Sequence, residues 1–278
     1  MQTQTEPISG VAAGVPFVAV PPARADEAAP VVIAWHLMDP PRSETAFAAA
    51  LPLAGLDAWR IYLGLPMCGS RLPEGGLDEL MRLGYEDAVL NLQGPISAQA
   101  AAEFGPAFAE LRERFRLGSG PVGVMGGSLG AAAAQLVMTE GALEVAAAVL
   151  VSPVVQLYEA VEALGRRFGV TYPWSERSLE VARRLDFVAR ADEFAGDPAV
   201  LLVVGEDDDV SGFRQPASRL QAALAQRASE PERVRLTVVP GMGHELAEEP
   251  GIEPAPQIPA AAEVDRLAVD WFARHLRR

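Results

Sequence analysis

The sequence predicts an α/β protein, a mostly parallel twisted sheet with helices on both faces. Three observations predict it. Short apolar runs alternate with longer segments of helical spacing along most of the 278 residues, the pattern of strands joined by crossover helices. Several runs are apolar without interruption, as strands covered on both faces must be. Hydrophobic residues make up 50% of the chain, enough to fill one large core.

In chain order the predicted strands are Pro16–Val20, Val31–Trp35, Trp59–Leu63, Val122–Met125, Ala146–Val151, Ala199–Val204 and Val234–Val239. The predicted helices are Ser43–Ala54, Ala98–Arg116, Leu129–Glu140, Pro216–Arg227 and Ala260–Arg277. In the last, Val264, Leu267, Ala268, Trp271 and Phe272 recur at helical intervals and mark a buried stripe. Two stretches break the alternation. Gly64–Gly94, rich in Gly, Pro and Leu, reads as an irregular excursion with one short helix. Pro153–Pro198 carries helix-like pieces at Val155–Phe168 and Ser178–Ala191 around the aromatic turn TYPW. A long insertion between core strands is a candidate lid, here residues 153–198 within a single domain spanning 1–278. The Pro-rich patches Ala19–Pro30 and Glu248–Pro259 read as loops.

A formal net charge of -14 gives a field that repels phosphate backbones and anionic lipid, so neither nucleic acid nor a membrane is an expected partner. All 23 Lys and Arg residues are arginine. A G-K-[ST] phosphate loop and a lysine Schiff base are therefore excluded. Gly118-Ser-Gly-Pro-Val-Gly123 fits G-x-G-x-x-G, but it precedes a strand and contains proline, so it reads as a loop and no cofactor is expected. No apolar run approaches the ~20 residues of a membrane span, and MQTQTEPISG lacks the basic and apolar regions of a secretory leader. A cytoplasmic address is expected. The lone Cys68 reads as a packing residue without a catalytic role.

The chemistry concentrates at GVMGGSLG. Glycine in regular structure costs about 0.5–1 kcal/mol relative to alanine, so three close together signal a backbone shape that side chains forbid. Gly126-Gly-Ser128-Leu-Gly130 matches G-x-S-x-G with an apolar strand before it and an alanine-rich helix after it. That context presents a serine hydroxyl at the carboxyl edge of the sheet and at a helix N-terminus, where free N–H groups stabilise developing negative charge. A neutral serine is a poor nucleophile and needs a base, and the base needs an orienting group.

Three histidines are available. His244, in the glycine-bearing loop after a strand, combines position with freedom to swing over the sheet edge. His275 lies at a helix end that favours a positive surface residue, and His36 closes the strand VVIAWH upstream of the serine. The acid belongs to Glu206–Asp209, after the strand VLLVV. One carboxylate turned inward fixes the imidazole tautomer, whereas four together repel one another. Carboxylates so clustered also suit Mg²⁺ or Ca²⁺, although no strong metal spacing accompanies them, and no metal site is assigned.

The order Ser128, acid, His244 on alternating strands and helices resembles the α/β-hydrolase superfamily, from about Val15 to the chain end. The resemblance implies the acid of G-x-x-D at Gly205-Glu-Asp-Asp208, hence Asp208, with Asp207 and Asp209 as substitutes, and the G-x-G-H ending at Gly241-Met-Gly-His244. It also implies an oxyanion hole from two backbone N–H groups. One belongs to Leu129. The other follows a His-Gly pair in the family, but His36-Leu37-Met38-Asp39 has no glycine, so position selects Met38, with Leu37 as the other choice. The implied activity is a serine esterase cleaving a small-molecule carboxylic ester through an acyl-serine, without cofactor. Thioesterase, peptidase and acyltransferase reactions use the same machinery, and a non-catalytic binding homologue keeps the same pocket. Tyr172, Trp174, Met67 and Cys68 are candidate walls of an acyl pocket. A monomer or a homodimer fits equally.

Overall fold

Eight strands and eight α-helices among the described residues build the frame that positions the site. The computed structural model describes residues 6–24, 27–141 and 143–277; the leader reading of residues 1–5 and part of the Ala19–Pro30 loop reading, at residues 25 and 26, lie outside them. The chain opens with a hairpin, β1 (Ile8–Ala12) and β2 (Val15–Val20). Ala13 and Gly14 form its two-residue turn with φ of 45° and 85°, the positive pair that matches strand twist. β3 (Val31–Trp35), α1 (Glu44–Ala50) and β4 (Trp59–Leu63) follow, then α2 (Gly76–Asp87) and the long α3 (Gly94–Phe115). Next come β5 (Val122–Gly127), α4 (Leu129–Glu140), β6 (Ala147–Val151), α5 (Leu157–Phe168) and α6 (Glu176–Arg184). The chain ends with β7 (Ala199–Gly205), α7 (Gln215–Ala225), β8 (Val234–Val239) and α8 (Pro259–His275).

The eight strands form one sheet in the order β1-β2-β4-β3-β5-β6-β7-β8. β2 runs antiparallel to both neighbours, and every pairing from β4 to β8 is parallel. This is the mostly parallel α/β-hydrolase architecture expected. Side chains alternate between two cores, as the strand period requires. Ile33, Trp35 and Val124 enter the core under α3, α4 and α7, whereas Val32, Ala34 and Met125 enter the core under α1 and α8. The stripe predicted in α8 supplies the fully buried Val264, Ala268 and Phe272, and emptying a site such as Phe272 costs about 3–5 kcal/mol.

Strand order fixes where a ligand can enter. The chain leaves β3 through α1 on one face to reach β4, then returns through α3 on the other face to reach β5. β3 and β5 are neighbours whose connections diverge, so their carboxyl ends flank a crevice at the switch point. Residues 36–39 follow β3, and Ser128 follows β5.

Several boundaries differ from expectation. β1 is an added edge strand, mostly exposed and interrupted by Gly10, with almost no alternation to betray it. α1 stops at Ala50 before Pro52, and Leu53 turns back with φ 48°. α3 starts at Gly94, earlier than expected, with Pro95 in its first turn, and holds Pro106 inside. The excursion contains α2 and a wide turn at Ala88–Gln93 that runs directly into α3. In the insertion, Leu157 N donates to Leu185 O and Phe187 N to Val155 O, which ties the start of α5 to the segment after α6. α6 ends at Arg184, short of the expected Ala191. Among the described residues no helix is long and apolar enough to cross a membrane.

Candidate active site

At the end of β5 the chain turns so sharply that Ser128 adopts φ 47°, ψ −115°. Such strain persists only where the surroundings dictate it. Here Ser128 N donates to Val151 O at 2.9 Å, and Ser128 O accepts from Val154 N at 3.2 Å and Ala131 N at 3.1 Å. A Cβ on Gly126 would stand 2.4 Å from Gly130 O, and one on Gly130 would stand 2.2 Å from His36 O. Backbone occupies the space a side chain needs, so both positions must be glycine. Leu129 is the first residue of α4, and its N–H has no acceptor within the helix.

The loop after β8 returns His244 to this turn. Nε2 lies 2.9 Å from Ser128 Oγ, and Nδ1 lies 2.9 Å from Asp208 Oδ2. Asp208 is buried at 7% exposure, and its Oδ1 accepts from Asp209 N at 2.8 Å. The Phe213 ring packs on the imidazole, centroids 4.3 Å apart. Burial opposes charge on His244, but the Asp208 hydrogen bond and charge, reinforced by Asp39 and Glu245, outweigh it and raise its pKa above the ordinary 6.5. With Asp208 accepting from Nδ1–H, Nε2 is left as an acceptor for the serine proton.

The four carboxylates after β7 separate by task. Asp207 is exposed and Glu206 accepts from Gly241 N at 3.2 Å. Asp209 accepts from Gly212 N at 2.7 Å and Ser211 Oγ at 2.9 Å, capping the turn Val210–Arg214. Of the three aspartates, Asp208 alone meets the imidazole. Among the described residues no group of three or more His, Cys, Asp or Glu is placed to hold a metal ion.

The loop after β3 is organised by His36 rather than by glycine. His36 is fully buried; its Nδ1 lies 2.6 Å from Leu37 O, and Leu65 N donates to its Nε2 at 3.0 Å. Those partners define a neutral ring, and burial, against the Leu37 bond and with help from the Arg71 charge, lowers its pKa to about 4. The ring thus clamps the Leu37–Met38 segment to the start of the excursion after β4. Leu37 tucks its side chain toward Gly127, and Met38 packs at the rim of the opposite core. Asp39, a residue with no motif to announce it, brings its Oδ2 to 3.7 Å from His244 Nε2.

The other candidates have partners of their own. Tyr172 packs edge-on against Trp174, which stacks on Tyr158, while Tyr172 donates to Asp87 and Trp174 to Glu162. These bonds hold the aromatic turn to α5 and the excursion. Cys68 is buried, which pushes its thiol up to about 12; Met67 packs on the same core. His275 packs at a tilt against Trp271 in α8. α5 itself leans on the Val210–Arg214 turn, with Ala163 against Gly212 and Arg166 bonded to Ser211, so the insertion braces the acid-bearing loop.

Comparison with known proteins places this geometry in a family. No curated protein matches the chain. The solved structure of TT1662 from Thermus thermophilus matches at 17% identity over 99% of this chain and 100% of that one, with a TM-score of 0.64. An acylaminoacyl peptidase from Pyrococcus horikoshii matches at 14% identity and TM-score 0.65, over 99% of this chain and 42% of that one. A puromycin-hydrolyzing peptidase from Mycobacterium tuberculosis matches at 17% and 0.64, over 98% of this chain and 40% of that one. The chain thus spans about two fifths of the length of the two peptidases. The sequence pattern of the prolyl oligopeptidase family covers residues 98–277, which include Ser128, Asp208 and His244, and the chain therefore belongs to the prolyl oligopeptidase family of serine hydrolases.

Proposed function

We propose that the chain is a serine acyl hydrolase that cleaves peptide-type amide bonds, and esters by the same route, through an acyl intermediate on Ser128. The observation that carries this reading is the chain of contacts Ser128 Oγ to His244 Nε2 and His244 Nδ1 to Asp208, each 2.9 Å. Nε2 accepts the hydroxyl proton as Oγ attacks the carbonyl carbon. Asp208 stabilises the imidazolium that forms. The N–H groups of Leu129 and Met38 face the oxyanion. Collapse breaks the bond to the leaving amine or alcohol, which takes the proton from Nε2. Water then repeats the sequence, and the carboxylic acid leaves. Membership of a peptidase family supports the amide reading.

A specific observation favours esters as the easier substrates. The loop that offers the second oxyanion donor carries Leu37 where the α/β-hydrolase resemblance implies glycine, which constrains how the Met38 N–H is presented, and a donor held out of place costs up to about 10²–10³ in rate. Amides, with poorer leaving groups, feel that loss more. The test is a series of aminoacyl and peptidyl p-nitroanilides beside p-nitrophenyl esters, with a fluorophosphonate probe, on wild type and Ser128→Ala. Covalent labelling at Ser128 and turnover of both series, each abolished in Ser128→Ala, are expected. Turnover of esters alone restricts the reading to an esterase. Folded protein that neither labels nor turns over any member is a binding homologue.

A further inference from the structure

The loop after β3 contributes more than an N–H. Asp39 Oδ2, 3.7 Å from His244 Nε2, addresses the same ring nitrogen that meets Ser128 Oγ at 2.9 Å. A carboxylate and the nucleophilic hydroxyl thus converge on the atom that carries the proton through the reaction. The Asp39 side chain is 43% exposed, and among the described residues no arginine pairs with it. Its placement is fixed rather than incidental. Leu246 N donates to Pro40 O at 2.9 Å, and Arg42 N donates to Gly251 O at 2.6 Å, so the segments bearing Asp39 and His244 are stapled together immediately after the contact.

The surroundings do not neutralise this charge. Glu245 follows His244 with its side chain 39% exposed and its nearest arginine, Arg167, 3.9 Å away. Arg42, on the same loop as Asp39, is engaged by Glu249 at 2.7 Å. Attack on a carbonyl creates a negative oxygen beside the serine, and a carboxylate that touches the same imidazole raises the energy of that oxygen. A cation carried by the substrate reverses the effect. Seated against Asp39, it cancels the repulsion and adds an attraction that grows as the oxyanion forms.

We propose that Asp39 is a specificity-determining residue that selects substrates bearing a cationic group next to the scissile carbonyl. The proposal rests on the acyl-serine reading above and names its substrate class. The cation has two sources, an α-ammonium on the acyl side or an ammonium on the leaving group. Two matched pairs separate them: alanine methyl ester against N-acetylalanine methyl ester, and acetylcholine against its uncharged isostere 3,3-dimethylbutyl acetate.

The measurement is kcat/KM for all four esters on wild type, Asp39→Asn and Asp39→Glu, with fluorophosphonate labelling as a charge-free check of the triad. Wild type is expected to prefer the cationic member of one pair by roughly five- to tenfold, the scale of a partly exposed ion pair. The pair that shows it identifies the source of the cation. In Asp39→Asn the ratio falls to about one while labelling persists; in Asp39→Glu the preference survives. Added salt shrinks the wild-type ratio, because the pair is partly exposed. Unchanged ratios in Asp39→Asn, a wild-type preference for the neutral members, or turnover of none of the four by an enzyme that labels at Ser128 would each overturn the inference. Absence of both labelling and turnover would instead remove the acyl-serine reading beneath it.

Discussion

Two loops at the carboxyl edge of the sheet each bury a histidine, and the two rings behave oppositely. His36, after β3, sits between a backbone carbonyl and a backbone N–H. His244, after β8, sits between a carboxylate and a hydroxyl. Burial acts on both rings in the same direction, against the charged form. The net result differs because His36 has only dipoles to answer desolvation, whereas His244 has Asp208 and, further off, Asp39 and Glu245. One ring is held neutral and becomes a structural clamp. The other is held ready for a proton, as the proposed general base must be.

The largest expected effect comes from giving His244 the kind of neutral partner that His36 has. Asp208→Asn keeps the shape but removes the charge, and about 10⁴ in kcat is expected to go with it. Asp207→Asn, at an exposed position outside the contact, should leave kcat/KM within twofold of wild type, roughly the noise of an independent surface site. Steady-state rates on one ester decide between them. An equal loss in both variants would mean that the acid contact read from the geometry is not the one used. The wild-type profile carries a further sign: the base works only when neutral and its pKa is raised, so kcat/KM should fall below a midpoint higher than pH 6.5.

The next effect breaks the clamp. His36 has a folded pKa of about 4 against 6.5 unfolded, so the unfolded chain binds more protons between those values. The stability His36 contributes by staying neutral is full above pH 6.5 and is lost as pH falls toward 4. The loss over that window is about 3 kcal/mol. His36→Asn can donate and accept but does not titrate, so its urea midpoint should decline less than that of wild type between pH 7 and pH 4. Parallel declines would show that the ring is not held neutral.

The contrast between the loops also explains what the sequence made legible. Ser128, Asp208 and His244 announce themselves because sterics force glycine beside the serine and because the acid and the base follow buried strands. The seven predicted strands recur with ends shifted by two residues at most, since short, mostly apolar runs between helical segments have few other uses in an α/β chain. β1 is not legible because an edge strand exposed on most positions carries no burial pattern. Asp39 and the role of His36 are not legible for a different reason. Their significance lies in contacts across the fold, to His244 and Leu65, and no spacing along the chain encodes such a contact. α6 ends earlier than its spacing suggests because the apolar Phe187 and Val188 extend the helical pattern, while the bonds Leu157 N to Leu185 O and Phe187 N to Val155 O pair that segment with the approach to α5 instead.

The smallest effect distinguishes the acid from the residue that supports it. Asp209 does two separate things: its backbone N–H donates to Asp208 Oδ1 at 2.8 Å, and its side chain caps Val210–Arg214 through Gly212 N at 2.7 Å. Asp209→Ala removes the cap and leaves the backbone donor, so the acid keeps its orienting bond. The cost should be about 1 kcal/mol of stability, the usual worth of such a cap, with kcat/KM reduced less than tenfold, far short of the roughly 10⁴ expected at Asp208. A thermal melt and one rate measurement separate the two losses. If Asp209→Ala instead matches Asp208→Asn in rate, the turn that α5 braces is itself what keeps the acid in place, and the insertion then acts on catalysis through that turn.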